Sequence, residues 1–306
     1  MNDAHEQYDP VYALVATRQG PLFAGRHSGL FYTTDGTTWA SLPVDPTPGR
    51  SRSITALVQT PEGSDLFAGS YGYVVRLTID GTLHLVSVLP RPLPMVTTLV
   101  VSPNYVHDGI VLAGTAKDGV FRSIDRGEYW VPWNIGLLDH RIIDLVVSPT
   151  FAVDETVFAA TESGVFYSVN GGRSWRMSAF PCDDDPVLCL AVSSGLAQNV
   201  MVYAGTEGGM LLVSHDQGRN WCSMTGITIG DQPINSLACI ADTMLVIALS
   251  DRLLLIEDIL SPHPHITCEL CDHHNITTLT CIAPAPGTLI AITGNINGHI
   301  ACLRLR

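Results

Sequence analysis

The stretch GVFYSVNGGRSW, residues 164–175, combines a β-strand pattern with a turn, and its polar and aromatic residues recur at the same offsets elsewhere in the chain. GVFRSIDRGEYW occupies 119–130, GMLLVSHDQGRNW occupies 209–221 and a shortened copy, GLFYTTDGTTW, occupies 29–39. In a hairpin turn, the Asp or Asn can accept backbone N–H bonds, the glycine can take a positive φ and the tryptophan can pack beneath neighbouring strands. Four copies favour a structural role; a calcium loop or a catalytic site is the alternative.

A second repeat covers the whole chain. Short apolar segments recur around Leu14, Leu57, Leu99, Leu145, Leu190, Leu237 and Leu279, at steps of 43, 42, 46, 45, 47 and 42 residues. Each is followed by further runs of β-branched and aromatic residues broken by Gly, Asp, Asn and Pro, with no room for a helix of ordinary length. Four strands at a period of roughly 40–45 residues are typical of one β-propeller blade.

The sequence therefore predicts an all-β fold, a single seven-bladed β-propeller of four-stranded antiparallel blades spanning residues 1–306. The predicted blades are roughly 10–45, 53–90, 95–137, 141–181, 187–226, 233–270 and 277–306. The seventh unit is too short for a fourth strand, and we expect residues 2–9 to supply it. Pairing the two ends in one blade closes the ring and removes an exposed sheet edge.

The repeated motif S-x-D-x-G-x-x-W resembles the Asp-box, or BNR repeat, of sialidase-like, sortilin-like and photosystem-assembly-factor-like propellers. Its members here are Asp35 and Trp39; Ser123, Asp125, Gly127 and Trp130; Ser168, Asn170, Gly172 and Trp175; and Ser214, Asp216, Gly218 and Trp221. In those families the box lies on the outer rim, away from the catalytic centre. The resemblance implies the fold and a bacterial-type propeller but no single activity, and the Arg-Ile-Pro signature of sialidases is absent.

Composition excludes several classes of function. The formal net charge is −13 and the chain has 16 Lys and Arg residues, which disfavours binding to a phosphate backbone. No apolar run approaches the roughly 20 residues of a membrane-spanning helix, so no membrane insertion is expected. The N-terminus shows no export pattern, which predicts a cytoplasmic protein. The eight cysteines, mostly within apolar segments, are expected to be buried free thiols.

Ligands of propellers usually bind where loops join the second to the third strand and one blade to the next. The residues predicted on this face are Arg26, His27, Arg52, Tyr71, Tyr73, Arg91, Lys117, Asp118, Glu162, Glu207, Asp251 and Arg252. The four acidic residues could include the carboxylate pair of a glycosidase, which stands about 5–10 Å apart. The sequence favours the other interpretation, that these residues are solvated loop charges.

One segment concentrates metal-binding residue types. SPHPHITCELCDHHN, residues 261–275, contains His263, His265, Cys268, Cys271, His273 and His274. Thiolate and imidazole ligands could hold zinc tetrahedrally, but strand alternation would send Cys268 and Cys271 to opposite faces unless the strand ends between them. The sequence therefore favours a chance cluster in a strand and the loop to the next blade, with zinc as the alternative, and it predicts no other cofactor.

No phosphate-binding glycine loop, catalytic triad or zinc-protease motif occurs in the sequence. We therefore expect a non-enzymatic interaction protein, an assembly factor or accessory subunit that presents its loops to a protein partner. A carbohydrate-active enzyme or glycan-binding propeller, using the acidic and aromatic loop residues, is the alternative hypothesis.

Overall fold

The computed structural model of the protein describes residues 8–17, 20–44, 51–78, 80, 82–181, 184–193, 200–224, 227, 229–240, 242–261, 264–270, 275–285 and 288–305. Seven antiparallel sheets surround one axis as the blades of a β-propeller, which confirms the predicted fold class. In this part of the chain six sheets have four strands and the last has three. Within each blade the strands follow one another in chain order, the first being innermost.

The strands of blades one to three are β1 (Val11–Ala16), β2 (Leu22–Arg26), β3 (Gly29–Thr33) and β4 (Ala40–Leu42); β5 (Ala56–Gln59), β6 (Asp65–Gly69), β7 (Tyr73–Thr78) and β8 (Leu83–Val88); and β9 (Val96–Val101), β10 (Val111–Thr115), β11 (Val120–Ser123) and β12 (Val131–Pro132). Those of blades four and five are β13 (Ile142–Val147), β14 (Val157–Thr161), β15 (Gly164–Ser168) and β16 (Arg176–Met177); and β17 (Val187–Val192), β18 (Val202–Thr206), β19 (Leu211–Ser214) and β20 (Cys222–Ser223). Those of blades six and seven are β21 (Ser236–Ile240), β22 (Met244–Ala248), β23 (Arg252–Glu257) and β24 (His265–Leu270); and β25 (Ile276–Ala285), β26 (Thr288–Asn295) and β27 (Ile300–Arg304).

Two single-turn helices join the first and second strands of blades three and four. They are α1 (Tyr105–Asp108) and α2 (Phe151–Asp154), and in each the first residue is a buried aromatic ring. The hydroxyl of Ser102 donates to Asp108 at 2.5 Å, and that of Ser148 donates to Asp154 at 2.7 Å. Among the described residues no helix is long and apolar enough to cross a bilayer.

Hydrogen bonds between innermost strands hold neighbouring blades together. Two residues before four of the repeated leucines, a Thr or Asn side chain donates to a backbone carbonyl of the next blade. These bonds run from Thr55 to Val96 at 2.5 Å, Thr97 to Ile142 at 2.7 Å, Asn235 to Ile276 at 2.8 Å and Thr277 to Val11 at 2.6 Å. Because Thr277 lies in blade seven and Val11 in blade one, the last bond closes the ring.

The described part of blade seven ends at its third strand, β27. Of the predicted completing segment 2–9, residues 2–7 lie outside the described residues. Asp9 accepts hydrogen bonds from the backbone N–H and the hydroxyl of Ser28, both at 2.8 Å. Arg26 pairs with Asp9 at 3.7 Å and donates to the Gly298 carbonyl at 3.1 Å. These contacts connect the segment before β1 with blades one and seven.

The repeated S-x-[DN]-x-G-x-x-W motif forms the turn between the third and fourth strands. In blade three, Ser123 Oγ donates to Asp125 at 2.7 Å, accepts the Gly127 N–H at 2.9 Å, and Trp130 Nε1 donates to the Gly127 carbonyl at 3.1 Å. Gly127 has a φ of +85°, and a Cβ there would stand 2.8 Å from the Phe67 ring. The Ser–Asp/Asn and Gly–Ser bonds recur at Ser168, Asn170 and Gly172 and at Ser214, Asp216 and Gly218.

The shortened copy in blade one uses the same chemistry. Thr33 Oγ1 donates to Asp35 at 2.9 Å and accepts the Gly36 N–H at 3.0 Å. Backbone N–H groups of Thr38 and Thr37 donate to the Asp35 carboxylate and hold its pKa well below the usual range. In blade two, Thr78 donates to Asp80, and Asp80 accepts the Thr82 N–H at 2.9 Å. Thr78, Asp80 and Thr82 therefore repeat the hydrogen bonds of the turn.

The six described cysteines are free thiols, but they differ in burial. Cys189 is buried and Cys239 and Cys281 are half-buried. The other three, Cys222, Cys268 and Cys302, are exposed, contrary to the expectation of burial, because they lie on the outer strands or on the outward side of the last described strand.

Candidate functional site

The predicted site residues lie at one end of the propeller. Because strands alternate in direction, turns from the second to the third strand, such as 27–28 and 162–163, share an end with the connections between blades, such as 89–95 and 133–141. We call this end the loop face. The predicted residues are in these turns and connections or at the adjoining strand ends, in blades one to six.

The two predicted tyrosines have different environments. Tyr71 is 55% exposed, in the turn between β6 and β7. Tyr73 is buried in the core between blades one and two, and its hydroxyl donates to the Ser51 carbonyl at 2.6 Å. Tyr71 is therefore accessible to a partner, whereas Tyr73 is a packing residue of the fold.

Two of the four predicted carboxylates are neutralised by arginine. Arg141, which is not among the predicted site residues, pairs with Glu162 and also donates to Asp139 at 3.1 Å. Arg252 donates to Asp251 through two nitrogens, each at 2.9 Å. The sequence position of Arg141 could have indicated a place on the loop face, because Arg141 is the last residue of the connection between blades three and four, directly before β13.

Asp139 anchors the Arg141 pair. Burial raises the pKa of Asp139, but hydrogen bonds from Arg141 and the Ser163 N–H outweigh burial and lower it. The same bond, with the nearby carboxylates, raises the pKa of Arg141. Both shifts favour the charged forms of Asp139 and Arg141, which suits a structural ion pair better than proton transfer.

Arg26 also has a structural environment. Its guanidinium lies 5.5 Å from the ring centroids of both Phe31 and Trp39, and it holds Asp9 and Gly298 as described above. The backbone carbonyl of Asp118 accepts a hydrogen bond from Asn134 Nδ2 at 2.9 Å. The remaining predicted residues have exposed side chains on the loop face: His27, Arg52, Arg91, Lys117 and Glu207.

An exposed apolar group stands beside Arg91. It consists of Tyr71, Leu93 and Met95, which are 55%, 39% and 41% exposed, and we call it the apolar platform. Tyr71 and Met95 form an antiparallel β-bridge, and the Gly72 N–H donates to the Pro94 carbonyl at 2.8 Å. Gly72 has a φ of +80°, and a Cβ there would lie 2.8 Å from that of Leu93. The platform is therefore held in shape by backbone bonds.

The structure describes two of the six residues of the predicted zinc site. His265 and Cys268 lie three positions apart in β24, on opposite faces of the strand. His265 Nδ1 is 3.5 Å from Glu257 Oε2. The strand ends at Leu270, before Cys271, but His263, Cys271, His273 and His274 lie outside the described residues. Within the described residues no three His, Cys, Asp or Glu side chains are grouped to hold a metal.

The central channel holds a cavity of about 230 Å³ lined by innermost-strand residues of all seven blades. Asp144 is the acidic residue in this lining, half-buried between Thr98 and Cys189. It accepts the N–H groups of Leu145 at 2.8 Å and Leu190 at 2.9 Å and the Thr98 hydroxyl at 3.2 Å. Burial raises its pKa to about 6, against these hydrogen bonds, which lower it.

Comparison with known proteins shows likeness in fold. No known family model and no curated protein matches the chain. The extracellular domain of a hybrid two-component system from B. thetaiotaomicron superposes with a TM-score of 0.73 at 15% identity, over 98% of this chain and 38% of that one. A GH74 xyloglucanase from Xanthomonas campestris gives 0.73 at 18% identity, over 96% of this chain and 51% of that one.

A computationally designed protein, Ika8, gives a TM-score of 0.65 at 17% identity, over 96% of this chain and 83% of that one. The chain thus spans about two fifths to a half of the two natural proteins. These likenesses show the fold alone. The similar structures are a xyloglucanase, an extracellular domain of a two-component system and a designed protein, so activity has to be argued from the residues of the loop face.

Proposed function

We propose that the protein is a non-enzymatic interaction scaffold of the Asp-box propeller type, an assembly factor or accessory subunit whose loop face docks a protein partner. The observation that carries the proposal is the apolar platform, three large side chains held exposed by backbone hydrogen bonds. Apolar and aromatic anchors with fixed geometry bind proteins well, because little conformational entropy is lost on docking.

The charges around the platform support a protein partner. Arg91 and Arg52 stand on the same face with exposed side chains, while Glu207 and Lys117 are exposed farther round the ring. Charges at the rim of an interface mainly steer association and fix orientation, and their effect weakens as salt increases. An acidic or mixed-charge protein surface with an apolar centre would match this arrangement.

The glycoside hydrolase alternative has less support from the site. A hydrolase needs a pair of carboxyl groups, one of them held protonated. Glu162 and Asp251 are each held in an ion pair with an arginine, whereas that mechanism needs carboxyl groups available to the substrate. The likeness to a xyloglucanase is one of fold, at 18% identity.

The test is affinity capture of the tagged full-length protein from its own host at native expression level, comparing the wild type with Tyr71→Ser combined with Met95→Ser. We expect a stoichiometric partner with the wild type and at least tenfold less with the double variant, because two anchors are removed. Arg91→Glu should reduce capture at low salt more than at high salt.

Tyr129→Ser is the matched control, since Tyr129 is 78% exposed but lies in a turn at the opposite end of the propeller. It should capture as much partner as the wild type. A partner retained equally by the platform variant would place the docking surface elsewhere. A protein recovered alone under several growth conditions would refute the scaffold proposal, and a glycan screen with Glu207→Gln as control would then test the alternative.

A further inference from the structure

A cavity of about 380 Å³ lies between blades five and six, at the end of the propeller opposite the loop face. We call it the inter-blade pocket. Blade five lines it with Met201, Tyr203, Val213 and Met224, and the turn between β23 and β24 of blade six adds Ile259 and Pro264. The walls are mainly apolar. The pocket is separate from the loop face and independent of the proposed docking of a protein there.

In three other places around the ring, the tryptophan of the turn motif fills the equivalent space. Each tryptophan packs in one core with a large side chain on the second strand of the preceding blade: Trp130 with Phe67, Trp175 with Leu112 and Trp221 with Phe158. The three partners stand directly before an alanine of their strand, and Tyr203 has that position in β18. Tyr203 is therefore the residue of blade five that a motif tryptophan of blade six would cover.

Blade six has no such tryptophan. In the motif the tryptophan follows the last residue of the third strand by seven positions and directly precedes the fourth strand, as Trp221 follows Ser214. The third strand of blade six ends at Glu257, and the residue seven positions later, directly before β24, is Pro264. Because a proline ring is much smaller than an indole, the space beside Tyr203 stays open as the inter-blade pocket.

The size and the walls of the inter-blade pocket suit an indole ring. An apolar cavity of about 150 Å³ is enough to hold benzene, so a cavity of about 380 Å³ leaves room for a bicyclic ring. The thioethers of Met201 and Met224 and the ring of Tyr203 offer contacts that aromatic rings favour. The Tyr203 hydroxyl donates to Met201 Sδ at 3.6 Å, so these two walls hold each other in place.

The pocket also offers an acceptor for the indole N–H. Trp175 Nε1 donates to the carbonyl of Trp133, which follows the fourth strand of blade three and gives its own N–H to Val120, the first residue of β11. Met224 has the same place in blade five, because it follows β20 and donates its N–H to Leu211, the first residue of β19. We propose that the inter-blade pocket binds an indole ring, of a free small molecule or of a tryptophan side chain from another chain, with its N–H donated to the Met224 carbonyl.

The experiment is isothermal titration calorimetry of the full chain with indole, N-acetyl-L-tryptophanamide and 1-methylindole. Indole or the tryptophan amide should bind with a Kd of about 1 mM or tighter, as expected for a ligand of this size. Tighter binding of indole would assign a small molecule, and tighter binding of the amide a tryptophan side chain. Because 1-methylindole lacks the N–H, it should bind about twofold to tenfold more weakly than indole.

Two tryptophan variants locate the site. Pro264→Trp supplies the missing ring from within the chain and should abolish binding of indole. Tyr129→Trp is the matched control, because it places a tryptophan at an exposed position of blade three and should leave the affinity unchanged.

A thiol reaction locates the ring in the wild type itself. Cys222 is exposed and lines the pocket, whereas Cys302 is exposed in blade seven. Indole at about ten times its Kd should slow alkylation of Cys222 by N-ethylmaleimide about tenfold, because only the free protein reacts, and should leave Cys302 unchanged. Mass spectrometry of the peptides gives both rates. Absence of binding by indole and the amide, or a Cys222 rate that indole does not change, would overturn the proposal. Equal affinity for indole and 1-methylindole would overturn the role of the Met224 carbonyl.

Discussion

The carboxyl group of Asp144 lies half-buried in the central channel among uncharged side chains. It accepts hydrogen bonds from two backbone N–H groups and from the Thr98 hydroxyl. Because the channel solvates charge poorly, burial raises the pKa of Asp144 to about 6. A carboxyl whose pKa is higher in the folded than in the unfolded chain binds more protons in the folded state between the two values. The free energy of unfolding should therefore fall as pH rises from about 4 to about 6.

We predict that Asp144→Asn removes this part of the pH dependence. From about pH 4 to pH 7 the wild type should lose up to about 3 kcal/mol relative to the variant, the equivalent of a shift of roughly two pKa units. Urea denaturation at a series of pH values measures the difference and cancels groups that titrate in both proteins. Parallel stability curves would show that Asp144 titrates normally in the folded protein.

At the scale of the element, the motif hairpin joins local bonds to packing between blades. Trp175 is 3% exposed, and its Nε1 donates to the Trp133 carbonyl of blade three at 2.8 Å. The Gly172 and Ser168 bonds shape the turn, while the ring packs in the core shared by blades three and four. The motif is thus a structural part of the fold, and its loss should affect stability.

We predict that Trp175→Ala lowers the free energy of unfolding by roughly 3–5 kcal/mol, the usual cost of emptying a large aromatic site. Urea denaturation gives the value, and Tyr129→Ala, an exposed aromatic of the neighbouring hairpin, should change it by less than about 0.5 kcal/mol. A Trp175→Ala protein of wild-type stability that had lost partner capture would instead give the motif a role in binding.

The difference between what the sequence predicted and what it did not follows from the range of the interactions. Ser168, Asn170, Gly172 and Trp175 stand within eight positions, so the turn is readable from the sequence. The Arg141–Glu162 pair joins residues 21 positions apart at the ends of β13 and β14, where Ile142 pairs with Thr161, and that register has no local signature in the sequence. The burial of Tyr73 depends in the same way on distant residues, because its ring packs against blade one and its hydroxyl reaches the Ser51 carbonyl.

For the whole molecule, the leucine spacing was sufficient to predict the number of blades, because every blade repeats one set of core contacts. The channel position of Asp144 was not predictable, because it depends on the closed ring. Inward and outward residues alternate along β13 as in any strand, and Asp144 is surrounded only once all seven blades are in place.

Ring closure gives the last prediction. Thr277 and Arg26 connect blades seven and one, but β27 pairs only with β26 among the described residues. If residues 2–9 supply the fourth strand, deleting residues 2–7 should speed amide hydrogen exchange in β27 about tenfold or more, because its outer amides lose their partners. Exchange in β23, which is paired on both sides, should stay slow. The deletion leaves Asp9 in place. Asp9→Ala is the separate control, because it removes the contact of Asp9 with Arg26 without removing residues 2–7. Equal exchange in β27 with and without residues 2–7 would refute closure by the N-terminal strand.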